Sequence, residues 1–199
     1  MNKMKIIFFG FIIWLIAALI NVGVFLGMDQ AIGMFRIWQN IGIVAVAIFA
    51  VGILVIALSL DPLKKYLESI ILLKATKIIG VLGAITTLIL AYFLFTTELV
   101  MIELGTNNLL NTTTVLSTLL IGIFLVLISL ILFVGRYQMK EITKLPSILE
   151  IAIAGALMSA IAGFIIISEI VLPSNISIFI SIPALILDAL LFFKLSYFE

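Results

Sequence analysis

Cysteine and histidine are both missing from this 199-residue chain. Their absence removes disulfides, thiol nucleophiles and imidazole ligands together. With them go the Ser-His-Asp and Cys-His catalytic centres and the usual zinc, haem, copper and iron–sulfur ligand sets. Charge is scarce as well. Only 11% of the residues are Asp, Glu, Lys or Arg, against about a quarter in soluble domains. A net charge of +1 leaves no basic field to neutralise phosphates, which argues against nucleic acid as a partner. No glycine-rich phosphate loop with its lysine occurs. An aspartyl protease of the bilayer needs two facing carboxylates inside spans, and only Asp188 lies well inside one. Asp61 alone does not resemble the several-Asp pattern of phospholipid-type transferases. No catalytic, cofactor or metal residue is therefore assigned, and the chain is expected not to be an enzyme.

What the chain has in abundance is apolar. Hydrophobic residues make up 65% of it and its mean hydropathy is +1.44. A soluble fold of this size could not hide so much apolar surface, so lipid must cover it. A spanning helix needs about 20 mostly apolar residues. Six such stretches appear, at 6–26, 41–60, 78–97, 115–134, 151–172 and 176–193. The first is too long for the h-region of a signal peptide and reaches Asn21 rather than a small-residue cleavage site, so it is expected to be retained. The last is the shortest and carries Pro183 and Asp188. The expected fold is all-α, a single transmembrane domain over 1–199 built as a polytopic bundle of six helices.

Loop charge orients the bundle. Lys3 and Lys5 precede the first stretch. Lys64, Lys65, Lys74 and Lys77 follow the second, Arg136, Lys140 and Lys144 follow the fourth, and Lys194 follows the sixth. The other three connections together hold only Arg36. This alternation predicts both termini in the cytoplasm and a multi-pass protein of the plasma membrane. The opposite side is acidic, with Asp29, Glu98, Glu103 and Glu169, and holds both N-x-S/T sequons, at Asn111 and Asn175. Between the second and third stretches, Leu63, Tyr66, Leu67, Ile70 and Ile71 recur at helical spacing while Lys64, Lys65, Glu68 and Lys74 lie elsewhere. The pattern predicts an amphipathic helix on the cytoplasmic leaflet over 61–77; the alternative is an extension of the third spanning helix.

Small residues recur every four positions in the third and fifth stretches, as Gly83, Thr87 and Ala91 and as Gly155, Ser159 and Gly163. Such ladders let helix backbones approach closely in lipid, and both are expected to face into the bundle, toward each other. Their common offset of 72 residues, shared by Lys5-Ile-Ile and Lys77-Ile-Ile, fits a chain of three helical hairpins.

Asp188 is the ionisable residue set deepest in a span, and such groups usually face a bundle interior or water. Its alternatives are a proton, cation or solute site, a contact to a partner subunit, and a carboxyl solvated near the cytoplasmic interface. Asn21, Gln39, Asn40, Glu98 and Glu169 all fall near outer helix ends. They line an outward vestibule on one view and sit at an ordinary wet interface on the other. In gross plan, with six spans in about 200 residues and both ends inside, the chain resembles the substrate-binding subunits of energy-coupling-factor transporters. It departs from them where their first helix uses an AxxxA pattern, since Ala17 is followed at i+4 by Asn21. Two functions follow. The first is a non-catalytic helix-bundle subunit of a larger membrane complex, partnered by lipid and by other subunits or copies of itself. The second is a small transporter or solute-binding module that uses the outer acids and Asp188.

Overall fold

The computed structural model describes residues 2–28, 35–67, 69–99, 106–171 and 176–198. Among them are six α-helices and one 3-10 helix: α1 (Lys3–Met28), α2 (Phe35–Ser59), the 3-10 helix Asp61–Tyr66, α3 (Ile70–Leu99), α4 (Thr106–Thr143), α5 (Pro146–Ser168) and α6 (Ile176–Leu195). Helix is the expected outcome, because in lipid a backbone must satisfy its own N–H and C=O groups. Five of the helices, α1 to α5, are long and apolar enough to cross a membrane. The 20-residue α6 packs beside them and carries Pro183, with Lys194 in its last turn.

Short connections make consecutive helices antiparallel neighbours. Each helix packs against the next, and α6 returns to pack against α1, so the six close into a ring. The ends of the chain meet at the closure, where the Asn2 Nδ2 donates to the Ser196 carbonyl at 3.1 Å. We call this the proximal end. At the distal end, α1, α3 and α5 finish and α2, α4 and α6 begin.

The helices outrun their apolar stretches. The 38-residue α4 is about 57 Å long at 1.5 Å per residue, well beyond a hydrocarbon core of about 30 Å. Polar flanks such as 106–114 and 135–143 continue the helix because nothing in them breaks it. Segment 61–77 is divided rather than one amphipathic helix. Pro62 opens a tight 3-10 turn that buries Leu63 and Tyr66, Leu67 is extended, and Ile70 onward is already α3. The burial of Leu63 and Tyr66 replaces the lipid contact that their spacing suggested.

Both small-residue ladders are buried, yet they do not meet, because α4 lies between α3 and α5. The α3 ladder packs on α4, with a Cβ on Gly83 falling 3.5 Å from the Leu120 Cβ. The α5 ladder is shared. A Cβ on Gly163 would stand 2.7 Å from the Gly122 carbonyl oxygen of α4, whereas one on Gly155 would stand 2.7 Å from the Asp188 Oδ1 of α6. A third close crossing joins α1 to α2, where a Cβ on Gly52 would lie 2.9 Å from the Trp14 backbone nitrogen. Small-residue contact of this kind is what holds helices together when lipid is as apolar as leucine.

The proximal half of the ring is filled by aromatic rings. Phe11 stacks on Phe192 with centroids 5.3 Å apart and lies 6.3 Å from Trp14. Trp14 in turn meets Phe124 at 6.1 Å and the edge of Phe49 at 5.1 Å. Met4, Ile7, Leu60 and Leu63 complete this plug. Outside it, Asp61 pairs with Lys77 at 2.8 Å and Lys64 at 3.6 Å. The Lys77 hydrogen bond, aided by the charge of both lysines, holds the Asp61 carboxyl below its ordinary range.

Candidate functional site

Above the aromatic plug the ring is not filled. A cavity of about 230 Å³ opens there, lined from all six helices. Each helix contributes residues one turn apart, which is what the inner face of a ring of helices must present. Trp14, Ala18 and Asn21 come from α1, and Val46 and Phe49 from α2. Thr87 and Leu90 come from α3, and Ser117, Thr118 and Ile121 from α4. Ile166 and Glu169 come from the end of α5, and Ser177 and Ser181 from the start of α6. Trp14 and Phe49 form the floor, continuous with the plug below.

Half of these residues are polar, and several are fixed by one another. The Glu169 carboxylate reaches across the α5–α6 turn. Its Oε1 accepts the backbone N–H of Ser177 at 3.0 Å and its Oε2 accepts the Ser177 hydroxyl at 2.6 Å. A carboxylate in the first turn of α6 satisfies an N–H that the helix leaves unpaired and faces the positive end of its dipole. On the opposite wall the Thr87 hydroxyl donates to the Gly83 carbonyl at 2.7 Å and lies 2.7 Å from the Ser117 Oγ. A hydroxyl has one proton. With that of Thr87 committed to Gly83, Ser117 is the donor in the cross-helix bond.

The expected site residues separate. Asn21 and Glu169 line the cavity, and Thr87, expected only to pack, lines it too. Asn40 is exposed on α2 and outside the lining. The side chains of Glu98, Gln39 and Asn111, and residues Asp29, Glu103 and Asn175, lie outside what the structure describes. Asp188 belongs elsewhere. It sits seven residues below Ser181, about 10 Å along α6, and is fully buried in the α5–α6 seam. Its Oδ2 accepts the Ser159 hydroxyl at 2.7 Å, and its Oδ1 has no hydrogen-bond partner. Of the α5 ladder, Gly155 and Ser159 thus serve Asp188, while Gly163 serves the α4 crossing.

Sequence reasoning did not find Ser117, Thr118, Ser177 and Ser181. Their signal is a polar position recurring at three or four residues within an apolar helix, and serine in lipid-spanning helices is common enough to hide it. Trp14 stood out only as too deep for an interfacial belt.

Among the described residues no group of three or more acidic side chains is placed to hold a metal ion. The arrangement suits reversible binding, since a carboxylate, an amide and hydroxyls surround an apolar floor. The chain matches no family model, no curated protein and no solved structure, so its likeness in plan to energy-coupling-factor subunits gains no support there.

Proposed function

We propose that this protein is a non-catalytic, membrane-embedded binding module for a small solute, held in the distal cavity. The cavity carries the proposal. A helix bundle that only packs gains most by filling its centre with apolar side chains, as the proximal half does. A roomy space lined by Asn21, Thr87, Ser117, Thr118, Glu169 and Ser181 forfeits that packing and is of the kind that holds water or a polar ligand.

On this proposal α6 also crosses the bilayer, both termini lie in the cytoplasm of a plasma-membrane protein, and the cavity lies in the outer half. Loop charge supports the orientation, with ten basic residues at the proximal end and Arg36 alone at the distal one. Cysteine introduced at Asn108 should react with an impermeant reagent in intact cells, while cysteine at Lys140 should not. The chain has no native cysteine to confuse the result.

Binding is tested on the purified full chain with a panel of small organic solutes, read as a rise in melting temperature. Ala18 is a small cavity-lining residue, so Ala18→Leu should occupy the space and abolish the response. A panel in which no compound gives an Ala18→Leu-sensitive shift would leave the proposal without support.

A further inference from the structure

We infer that the outer groove between α1 and α6 holds an acyl chain of an anionic phospholipid, with the headgroup at Lys5. The inference is independent of solute binding and takes from the reading above only that α6 lies in the bilayer.

The groove is hydrocarbon throughout. Where the ring closes, Phe8, Ile12 and Leu15 of α1 face Ile186, Leu190 and Phe193 of α6 across a recess of about 300 Å³. Its floor is Ala189, only 4% exposed, while Ile186, Leu190 and Phe193 project outward beside it. No polar side chain joins the lining. A polar solute would find no hydrogen-bond partner there, whereas hydrocarbon needs none.

Shape decides between hydrocarbon occupants. α1 and α6 pack directly on each other, so the recess between them is narrower than a helix, which is about 10–12 Å across with its side chains. A partner helix would also want small residues along its contact, and Ala189 stands alone among Phe, Ile and Leu. A single acyl chain is thinner and bends to fit. From Phe8 to Leu15 the groove runs about 10 Å along the helices, roughly a third of a hydrocarbon core of about 30 Å. That is the direction and depth of the upper part of a lipid chain.

Charge selects the headgroup. Lys5 lies one turn before Phe8, and positions 5, 8, 12 and 15 fall on one stripe of α1. Lys5 is exposed, and among the described residues it joins no ion pair. On the α6 side Tyr197 sets its ring edge-on to Phe193 at 5.2 Å and stays exposed. Phe8 and Phe193 meet at 5.3 Å between these two, as a sill over which a chain enters the groove. A free ammonium and a phenol at the mouth of an apolar recess suit a phosphate with net negative charge. A zwitterionic headgroup brings its own cation, which offsets the attraction of Lys5.

The full chain is tested in phosphatidylcholine bilayers doped with phosphatidylglycerol or phosphatidylcholine that carries a photoactivatable group on its acyl chain. Labelled positions are read by peptide mass spectrometry. The phosphatidylglycerol probe should label the groove residues about fivefold more than the phosphatidylcholine probe, the scale of one basic contact at a membrane surface. The exposed face of α3 at Leu82 and Ile85 should take both probes equally. Lys5→Gln, an exposed change in the first turn of α1, should remove the headgroup preference and leave phosphatidylcholine labelling unchanged. Ile186→Trp, on the exposed wall, should fill the groove and lower labelling there severalfold for both probes. Equal labelling of the groove by the two probes, or a preference that survives Lys5→Gln, would overturn the inference. So would a preference equally strong at Leu82 and Ile85. Labelling on the other helices with none on α6 would instead overturn the reading that α6 lies in the bilayer.

Discussion

The two halves of the ring are built from the same six helices and differ in what fills the middle. Proximally, Phe11 stacks on Phe192, Phe124 meets Trp14, and all four belong to the buried core. Distally, seven polar side chains stand around a cavity. The two carboxylates of the α5–α6 seam repeat the contrast. Asp188 is sealed among packed residues with one hydrogen bond, while Glu169 lines the cavity with both oxygens engaged at the cap of α6. In lipid, close packing of the middle favours stability, and the proximal half is the one packed in that way.

The largest test of this contrast is truncation of the plug. Phe192→Ala should lower stability in detergent by about 3 kcal/mol, the low end of such losses because the side chain leaves lipid rather than water. Ala18→Leu in the distal half should cost less than about 1 kcal/mol, since it enters existing space. Equal costs for the two would erase the distinction between a filled half and an open one. Next in size is the seam around Asp188. Gly155→Leu must displace the Asp188 carboxylate, and about 2 kcal/mol is expected. Ile161→Leu, on the partly exposed side of the same helix, should stay within about 0.5 kcal/mol. Matching melting temperatures for these two variants would remove the close α5–α6 contact. Smaller again, Ser159→Ala leaves Asp188 without its hydrogen bond and should cost about 1 kcal/mol. Asp188→Asn, which keeps an acceptor for Ser159, should match the parent within about 0.5 kcal/mol.

The smallest effect lies outside the bundle. The Asp61 carboxyl titrates below its ordinary 3.8 because Lys77 bonds to it. Its contribution is therefore complete above that ordinary value and fades as the pH falls through the lowered one. The pair is partly exposed to solvent, so about 0.5 kcal/mol is at stake. Comparing the parent with Asp61→Asn from pH 6 down to pH 3 should show the two curves converging only at the acid end. A difference that persists to pH 3 would mean that Asp61 acts through packing rather than charge.

Long apolar stretches made the helices legible from sequence, because a lipid core sets their length and composition directly. Ring closure was not legible. Nothing in the composition of α1 or α6 says that Phe11 stacks on Phe192 rather than facing acyl chains, since an apolar residue suits either place. The small-residue ladders announced close contact but not the partner, and so both faced α4 or α6 instead of each other. Among the site residues, Asn21 and Glu169 were visible as polar groups near helix ends. Ser117, Ser177 and Ser181 became meaningful only when the ring turned their faces inward. Segment 61–77 misled because the spacing of Leu63, Tyr66 and Leu67 fits a helix on lipid as well as a 3-10 turn tucked under the bundle.

Ring closure also has a consequence in time. Helices leave the ribosome in order, and α1 finds α2 at once. Its other flank, where Phe8 and Phe11 meet Phe193 and Phe192, has to wait for α6, and the Asn2–Ser196 bond spans 194 residues. Without α6 the cavity lacks the part of its wall that Ser177 and Ser181 supply. The distal cavity takes its lining from all six helices and is therefore complete only once α6 has docked.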